Sequence, residues 1–268
     1  MNRLLLTISL LALGIRAVSI DNYPVGARSL ALSHASVSFS DVWATFNNQA
    51  GLVDLNSIST GFYYEPRFRT NGLYAGSLVI PSGVGNFGVS FFQFGKRTYK
   101  ENKFGIAYSK KLSRQLNFGI QFDYMLLTLP ENEQAKGFIT FEGGVNFTVS
   151  ENLVLGAHIF NPFQQGIETF SGKQKWPVIF KVGGSYKFNE ITFMVLELEK
   201  NNSNPLLLKT GIEFNPIDNL AFRFGVSGKP FQYTAGIGYS LGKIIADIGF
   251  GYHENLGVTP SVSIQFEF

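Results

Sequence analysis

The sequence predicts an all-β fold: a transmembrane antiparallel β-barrel of about fourteen strands, with a short, partly helical N-terminal plug in its lumen. Three observations lead there. Beyond residue 56 the apolar residues recur with period two in runs of roughly ten, close to the ~9–11 residues that a tilted membrane strand needs. The links between runs alternate between tight and long, as the turns and loops at the two ends of a membrane barrel do. Charged residues make up only 15% of the 268 and aromatic residues another 15%, whereas soluble domains carry about 25% charged residues. Polar surface is in short supply, as a lipid-facing wall would require.

Residues 1–19, "MNRLLLTISLLALGIRAVS", have a basic start at Arg3, an apolar run from Leu4 to Ile15 and small residues at Ala17 and Ser19. That is the pattern of a cleavable signal peptide, and the apolar run is too short for a membrane helix, which needs ~20 residues. Residues 20–56 show no membrane strand. Ser40 or Asp41 is placed to cap a short helix over residues 42–46, and a second turn begins at Asn48. A barrel of this size is wider than the ~8-stranded barrels that side chains alone fill, so residues 20–56 are the expected plug. The barrel takes residues 57–268, with strands beginning near Ser57, Asn71, Asn86, Lys103, Gln115, Gly137, Asn152, Trp176, Glu190, Leu206, Asn219, Phe231, Lys243 and Val258. Tight reversals such as "PSGVG", "LSRQ" and "LGK" follow the even-numbered strands, and longer links such as "GKRTYKEN" and "LPENEQAKG" follow most odd-numbered ones. The last strand sets Val262, Ile264, Phe266 and Phe268 against Ser261, Ser263, Gln265 and Glu267. A soluble β-sandwich shares such alternation. The export signal, the even strand count and the amount of apolar face favour a closed barrel, because an unpaired backbone group in hydrocarbon costs several kcal/mol.

Alternation also assigns the lumen. Glu142, Lys181, Lys187, Lys209, Glu213, Arg223, Asp247 and Glu267 sit opposite apolar neighbours, since a Lys or Arg facing lipid at mid-depth costs ~2–4 kcal/mol. Their expected role is to solvate one another and to hold the plug, with Arg28 of the plug joining them. The longest link, Asn161 to Lys175, places Phe163, Phe170 and the adjoining Trp176 in an extracellular loop, as a partner contact or as a lid over the mouth. No chemistry stands out. His34, His158 and His253 lack metal-ligand spacing, cysteine is absent, and neither a nucleophile elbow nor a P-loop is present. The expectation is therefore no enzyme, with no catalytic, cofactor-binding or metal residues. The 22 basic residues are scattered singly and the net charge is +3, which lacks the clustered footprint of a nucleic-acid binder.

The stretch "PVGARSLALSHASVSFSDVWATFNNQAGL", followed by the strand pattern and the aromatic end, resembles the PorV/PorQ-type outer-membrane proteins of Bacteroidota, within the wider superfamily of FadL-like transporters of hydrophobic compounds. In that superfamily the plug carries Asn-Pro-Ala, often continued by Gly-Leu. Here Asn48, Ala50, Gly51 and Leu52 match and Gln49 stands in place of the proline. Together with Arg28, Trp43 and Asn47 they form the plug motif. Phe266 and Phe268 resemble the C-terminal signal read by the outer-membrane assembly machinery. The resemblance implies a bacterial outer-membrane location, with membrane lipid around the barrel, and leaves two functions open. The leading expectation is an accessory or docking component of an export system of the type IX kind, partnered by another outer-membrane or secreted protein; short loops favour it. The alternative is a passive transporter of small hydrophobic molecules, favoured by the apolar plug stretches Leu30 to Leu32 and Val37 to Phe39.

Overall fold

The computed structural model describes residues 22–67, 71–96, 99–128, 135–169, 172–202, 204–228, 231–254 and 257–268. The signal-peptide reading of residues 1–19 and the loop position of Phe170 lie outside these residues. Fourteen strands close into one antiparallel barrel: β1 (Ser59–Arg67), β2 (Asn71–Ile80), β3 (Asn86–Lys96), β4 (Tyr99–Lys111), β5 (Leu116–Thr128), β6 (Ala135–Ser150), β7 (Leu153–Phe160), then, after a two-stranded hairpin β8 (Gly166–Thr169) and β9 (Gly172–Lys175), β10 (Ile179–Asn189), β11 (Thr192–Asn201), β12 (Leu207–Ile217), β13 (Leu220–Ser227), β14 (Gln232–Leu241), β15 (Ile244–His253) and β16 (Gly257–Glu267). β1 and β16 complete the circle in the register Ser59 opposite Glu267 through Tyr64 opposite Val262. The Phe268 amide extends that seam by donating to the Ile58 carbonyl at 2.9 Å. Closure leaves no strand edge, as a bilayer requires of a β-protein.

Period-two patterning produces the two faces of this wall. On β5, Phe118, Phe122 and Tyr124 point outward and are exposed, while Asn117, Gln121 and Asp123 point inward and are buried. Ile106, Ile139, Phe224 and Tyr233 continue the exposed apolar belt around the barrel. A surface of this kind is unfavourable in water, and acyl chains are the solvent it fits. Observed strand starts fall within three residues of the predicted ones except at β4, which begins at Tyr99 rather than Lys103. The polar link "GKRTYKEN" hid that extension. Gly95 and Lys96 still pair with Lys100 and Tyr99, because a strand that rises past the hydrocarbon no longer needs apolar residues on its outer face. Sequence reasoning also missed the β8–β9 hairpin inside the longest link.

The plug runs down through the lumen. It starts near the loop end, where the Lys103 ammonium donates to Asn22 at 3.3 Å and the Tyr23 ring lies 4.7 Å from Phe94. Two short helices, α1 (Ala27–Ala31) and α2 (Ala44–Asn47), and a 3₁₀ helix (Gln49–Asp54) follow. The Asp41 carboxylate accepts from the Trp43 amide at 2.9 Å and the Asn48 side-chain oxygen accepts from the Ala50 amide at 3.2 Å. The second bond caps the 3₁₀ helix at Asn48 as expected, whereas α2 starts at Ala44 with no side-chain cap at Trp43, so the Asp41 bond steadies the turn before that helix rather than capping it. No side chain caps α1 at Gly26, which explains why it carried no start signal. At the turn end the Asn86 amide donates to the Leu52 and Leu55 carbonyls, both at 2.7 Å, and the chain passes into β1.

Candidate functional site

The plug sits on bare backbone. Inward-facing glycines from many strands form its seat, and a Cβ on any of them would collide with plug atoms. At Gly156 it would lie 2.5 Å from the Val37 carbonyl oxygen, at Gly225 2.7 Å from the Ser33 nitrogen, and at Gly249 2.7 Å from the Ala27 carbonyl oxygen. At Gly119 it would overlap the Gln49 backbone and at Gly144 the Asn48 side chain. Eight of the 29 glycines, Gly61, Gly119, Gly144, Gly156, Gly211, Gly225, Gly236 and Gly249, would place a Cβ less than 3.0 Å from a plug atom: the lumen narrows to plug diameter where the wall lacks side chains. All eight plug-motif residues, Arg28, Trp43, Asn47, Asn48, Gln49, Ala50, Gly51 and Leu52, lie within this packed interior. The Asn48 amide donates to the Val37 carbonyl at 2.6 Å and to the Val145 carbonyl of β6 at 3.2 Å, tying two plug segments to the wall.

Charged groups complete the attachment. Arg28 holds Glu213 of β12 through two bonds, Nε to Oε2 at 2.9 Å and Nη2 to Oε1 at 3.0 Å, and its ring-facing side lies 4.6 Å from the centre of Phe39. Burial pulls the Arg28 pKa down, but Glu213 and Asp41 outweigh it and raise the value above its ordinary level. Desolvation moves the partly buried Asp41 up, with Arg28 opposing the shift. Arg223 of β13 bonds the same Glu213 and reaches Asp247 of β15 at 2.7 Å. Glu197 of β11 accepts from the Ser36 and Val37 amides, both at 2.9 Å, and also faces Lys209 at 2.9 Å. A separate cluster on β4 to β7 joins Lys103 to Glu142 at 2.6 Å, with His158 3.2 Å from the same carboxylate.

Of the residues assigned to the lumen from sequence, Glu142, Lys181, Lys209, Glu213, Arg223 and Asp247 are inward and buried. Lys187 and Glu267 are not members. Both lie where their strands meet the turn end: Lys187 pairs there with Glu190 at 2.6 Å, and Glu267 is exposed. Period-two counting puts them on the inner face but carries no information on depth. Lys103, Asp123, Glu197 and Glu199 are lumen residues that the sequence reading did not assign to this set. Lys103 was masked by the late start given to β4. Glu197 and Glu199 stand in "LELEK", whose alternation with Leu196 and Leu198 was the usable signal.

The loop-end mouth is divided. Over β3 to β7 it is filled by Phe94, Met125, Leu127, Phe160 and Trp176, with Ile167 of the hairpin above them. Trp176 was expected in a loop surface. It is 1% exposed, its ring centre lies 4.7 Å from that of Phe138 at a tilt of 55°, and its carbonyl accepts from the Asn161 amide at 3.1 Å. Ile167 and Trp176 are buried in this cluster, while Phe163 stays outside at 70% exposure. Over β11 to β16 and β1 the mouth holds a cavity of about 590 Å³ whose floor is the plug. Tyr23, Leu30 and Leu207 supply apolar lining; Ser33, His34, Ser227, Gln232, His253 and Thr259 supply further polar groups; Glu65, Arg67, Glu199 and Lys209 supply charges. Ser33 and His34 both take left-handed backbone, with φ of 54° and 60°, a conformation that costs non-glycine residues energy and concentrates at functional sites. Burial, reinforced by nearby Lys209, lowers the His34 pKa well below its ordinary value, so the ring is neutral at neutral pH. Among the described residues no group of three or more His, Asp or Glu is arranged to hold a metal ion.

A plugged membrane barrel with a cavity at its mouth is the class that this geometry defines. No protein-family model and no curated protein matches the sequence. Solved structures do match the fold. The toluene transporter TodX of Pseudomonas putida superposes with a TM-score of 0.68 at 15% identity, covering 95% of this chain and 100% of that one. The CymD monoaromatic hydrocarbon channel gives 0.68 at 12%, with 91% and 97% covered, and a FadL homologue from Pseudomonas aeruginosa gives 0.67 at 12%, with 91% and 98%. The chain has the FadL-like barrel fold across nearly its whole described length.

Proposed function

We propose that the protein is a passive outer-membrane channel for small, largely apolar molecules, which enter at the loop end and pass when the plug shifts. The cavity above the plug carries this reading: it is a partly open space of about 590 Å³, within the ~300–1,000 Å³ of ligand pockets, and it ends on a segment that must move if anything is to cross. Likeness to the fold of the hydrocarbon channels supports it, and the exposed apolar belt supports a membrane location. Phe266 and Phe268 are then the assembly signal, the latter at 66% exposure on the outer wall. A docking role has less behind it, because of the two named loop aromatics among the described residues Trp176 is buried and only Phe163 is exposed. In this reading the glycine seat and the ion pairs hold the plug closed at rest.

The test is a reversible lock. The Ser33 and Thr234 hydroxyl oxygens lie 3.1 Å apart, one on the plug and one on β14, and the chain contains no cysteine. A Ser33→Cys, Thr234→Cys double variant therefore forms one defined cross-link. In liposomes, oxidation should cut uptake of a small aromatic at least tenfold, and a reducing agent should restore it. Equal uptake by the locked and reduced forms would sink the gating proposal.

A further inference from the structure

The mouth cavity differs in character from a hydrocarbon site, and its charges explain how. Arg67 meets Glu65 at 2.6 Å, and Lys209 meets Glu199 at 2.6 Å and Glu197 at 2.9 Å. Every one of these ions has a partner within the wall, so a charged ligand entering the cavity has to displace a bonded group or remain unpaired in a partly dehydrated space, and both are costly. Between the two pairs the lining is neutral and hydrogen-bonding: Ser227, Gln232 and Thr259 project amide and hydroxyl groups from β13, β14 and β16. Leu30 and Leu207 provide an apolar surface beside them. A ligand that is wholly hydrocarbon would leave those polar groups dehydrated without partners, which costs about 1–3 kcal/mol for each group left so.

We infer that the cavity selects uncharged amphipathic molecules, an apolar body carrying a hydroxyl or carbonyl, over both hydrocarbons and organic ions. This rests on the channel reading above and narrows its substrate class. Four congeners of one skeleton separate the possibilities: 4-phenylbutan-1-ol, butylbenzene, 4-phenylbutyrate and 4-phenylbutylamine, titrated calorimetrically into the full chain held in amphipol. The alcohol should bind at least threefold more tightly than the hydrocarbon and tenfold more tightly than either ion. Ser227→Ala with Gln232→Leu, at the loop-end limits of β13 and β14, should bring the alcohol down to the hydrocarbon's affinity while butylbenzene holds or gains. Tightest binding by the carboxylate or the amine overturns the inference, as does equal affinity of alcohol and hydrocarbon in the unmodified protein. Absence of binding by all four removes the cavity as a site. Failure of the channel reading is distinct, since the disulfide lock reports it in liposomes whatever the ligand preference.

Discussion

Arg28 and Arg223 both bond Glu213, yet their removal should have unequal effects. Without Arg28, Glu213 keeps Arg223. Without Arg223, Asp247 loses the guanidinium 2.7 Å away, and its side chain is fully buried. Removing one partner of a buried ion pair costs about 3–5 kcal/mol, because the remaining charge is left dehydrated. Arg223→Leu should therefore destabilise the barrel by about that amount in urea titrations from lipid vesicles, and Arg28→Met by clearly less. Equal losses would show that the pairs act as one diffuse field rather than as discrete bonds. Gln49 illustrates another residue-scale point. It occupies the first position of the 3₁₀ helix after the Asn48 cap, where proline is favoured because its missing N–H is not needed. Glutamine keeps that geometry, and its side-chain amide donates to the Thr45 carbonyl at 3.2 Å, so departure from the Asn-Pro-Ala pattern leaves the plug turn intact.

At the scale of elements, plug and wall meet through missing side chains, which makes the seat testable by adding them back. Gly156→Ala brings a methyl to 2.5 Å from the Val37 carbonyl oxygen, and Gly119→Ala drives one into the Gln49 backbone. Overpacking of this kind costs about 1–3 kcal/mol, and the plug, being unpaired with any strand ladder, is the part able to yield. Both variants should show open-channel events in planar bilayers where the unmodified protein is silent. Gly76→Ala, whose Cβ has nothing closer than 3.8 Å, should stay silent; conductance from that control, or silence from the other two, would refute the seat. These glycines also show what the sequence could and could not tell. The wall was legible because alternation such as Phe118 to Tyr124 against Asn117 to Asp123 is dictated by two solvents, lipid and lumen. The seat was not, since an inward glycine and an ordinary weak strand position look alike until the plug backbone lies against it. Depth was lost for the same reason: Lys187 and Lys181 have the same parity, but only Lys181 reaches the buried interior.

For the molecule as a whole, the decisive claim is that the exposed belt faces lipid, and two positions of similar exposure separate this from a barrel in water. Ile106, at the middle of β4 between Val89 and Phe122, is 68% exposed. Leu206, in the loop-end link before β12, is 61% exposed. In an aqueous barrel, arginine at either site would change stability by no more than about 0.5 kcal/mol, as exposed substitutions do. In a bilayer the cost depends on depth, about 2–4 kcal/mol at the midplane and about 0–1 kcal/mol near the interface. Ile106→Arg should therefore lower unfolding free energy in vesicles by about 2–4 kcal/mol while Leu206→Arg changes it little, and neither should alter exchange protection of the plug amides. Equal small effects would remove the membrane from the account and with it the outer-membrane channel. Unequal effects would place Ile106 in the hydrocarbon and Leu206 at its edge, which fixes the loop-end cavity at the membrane surface, where a ligand arriving from water first meets the protein.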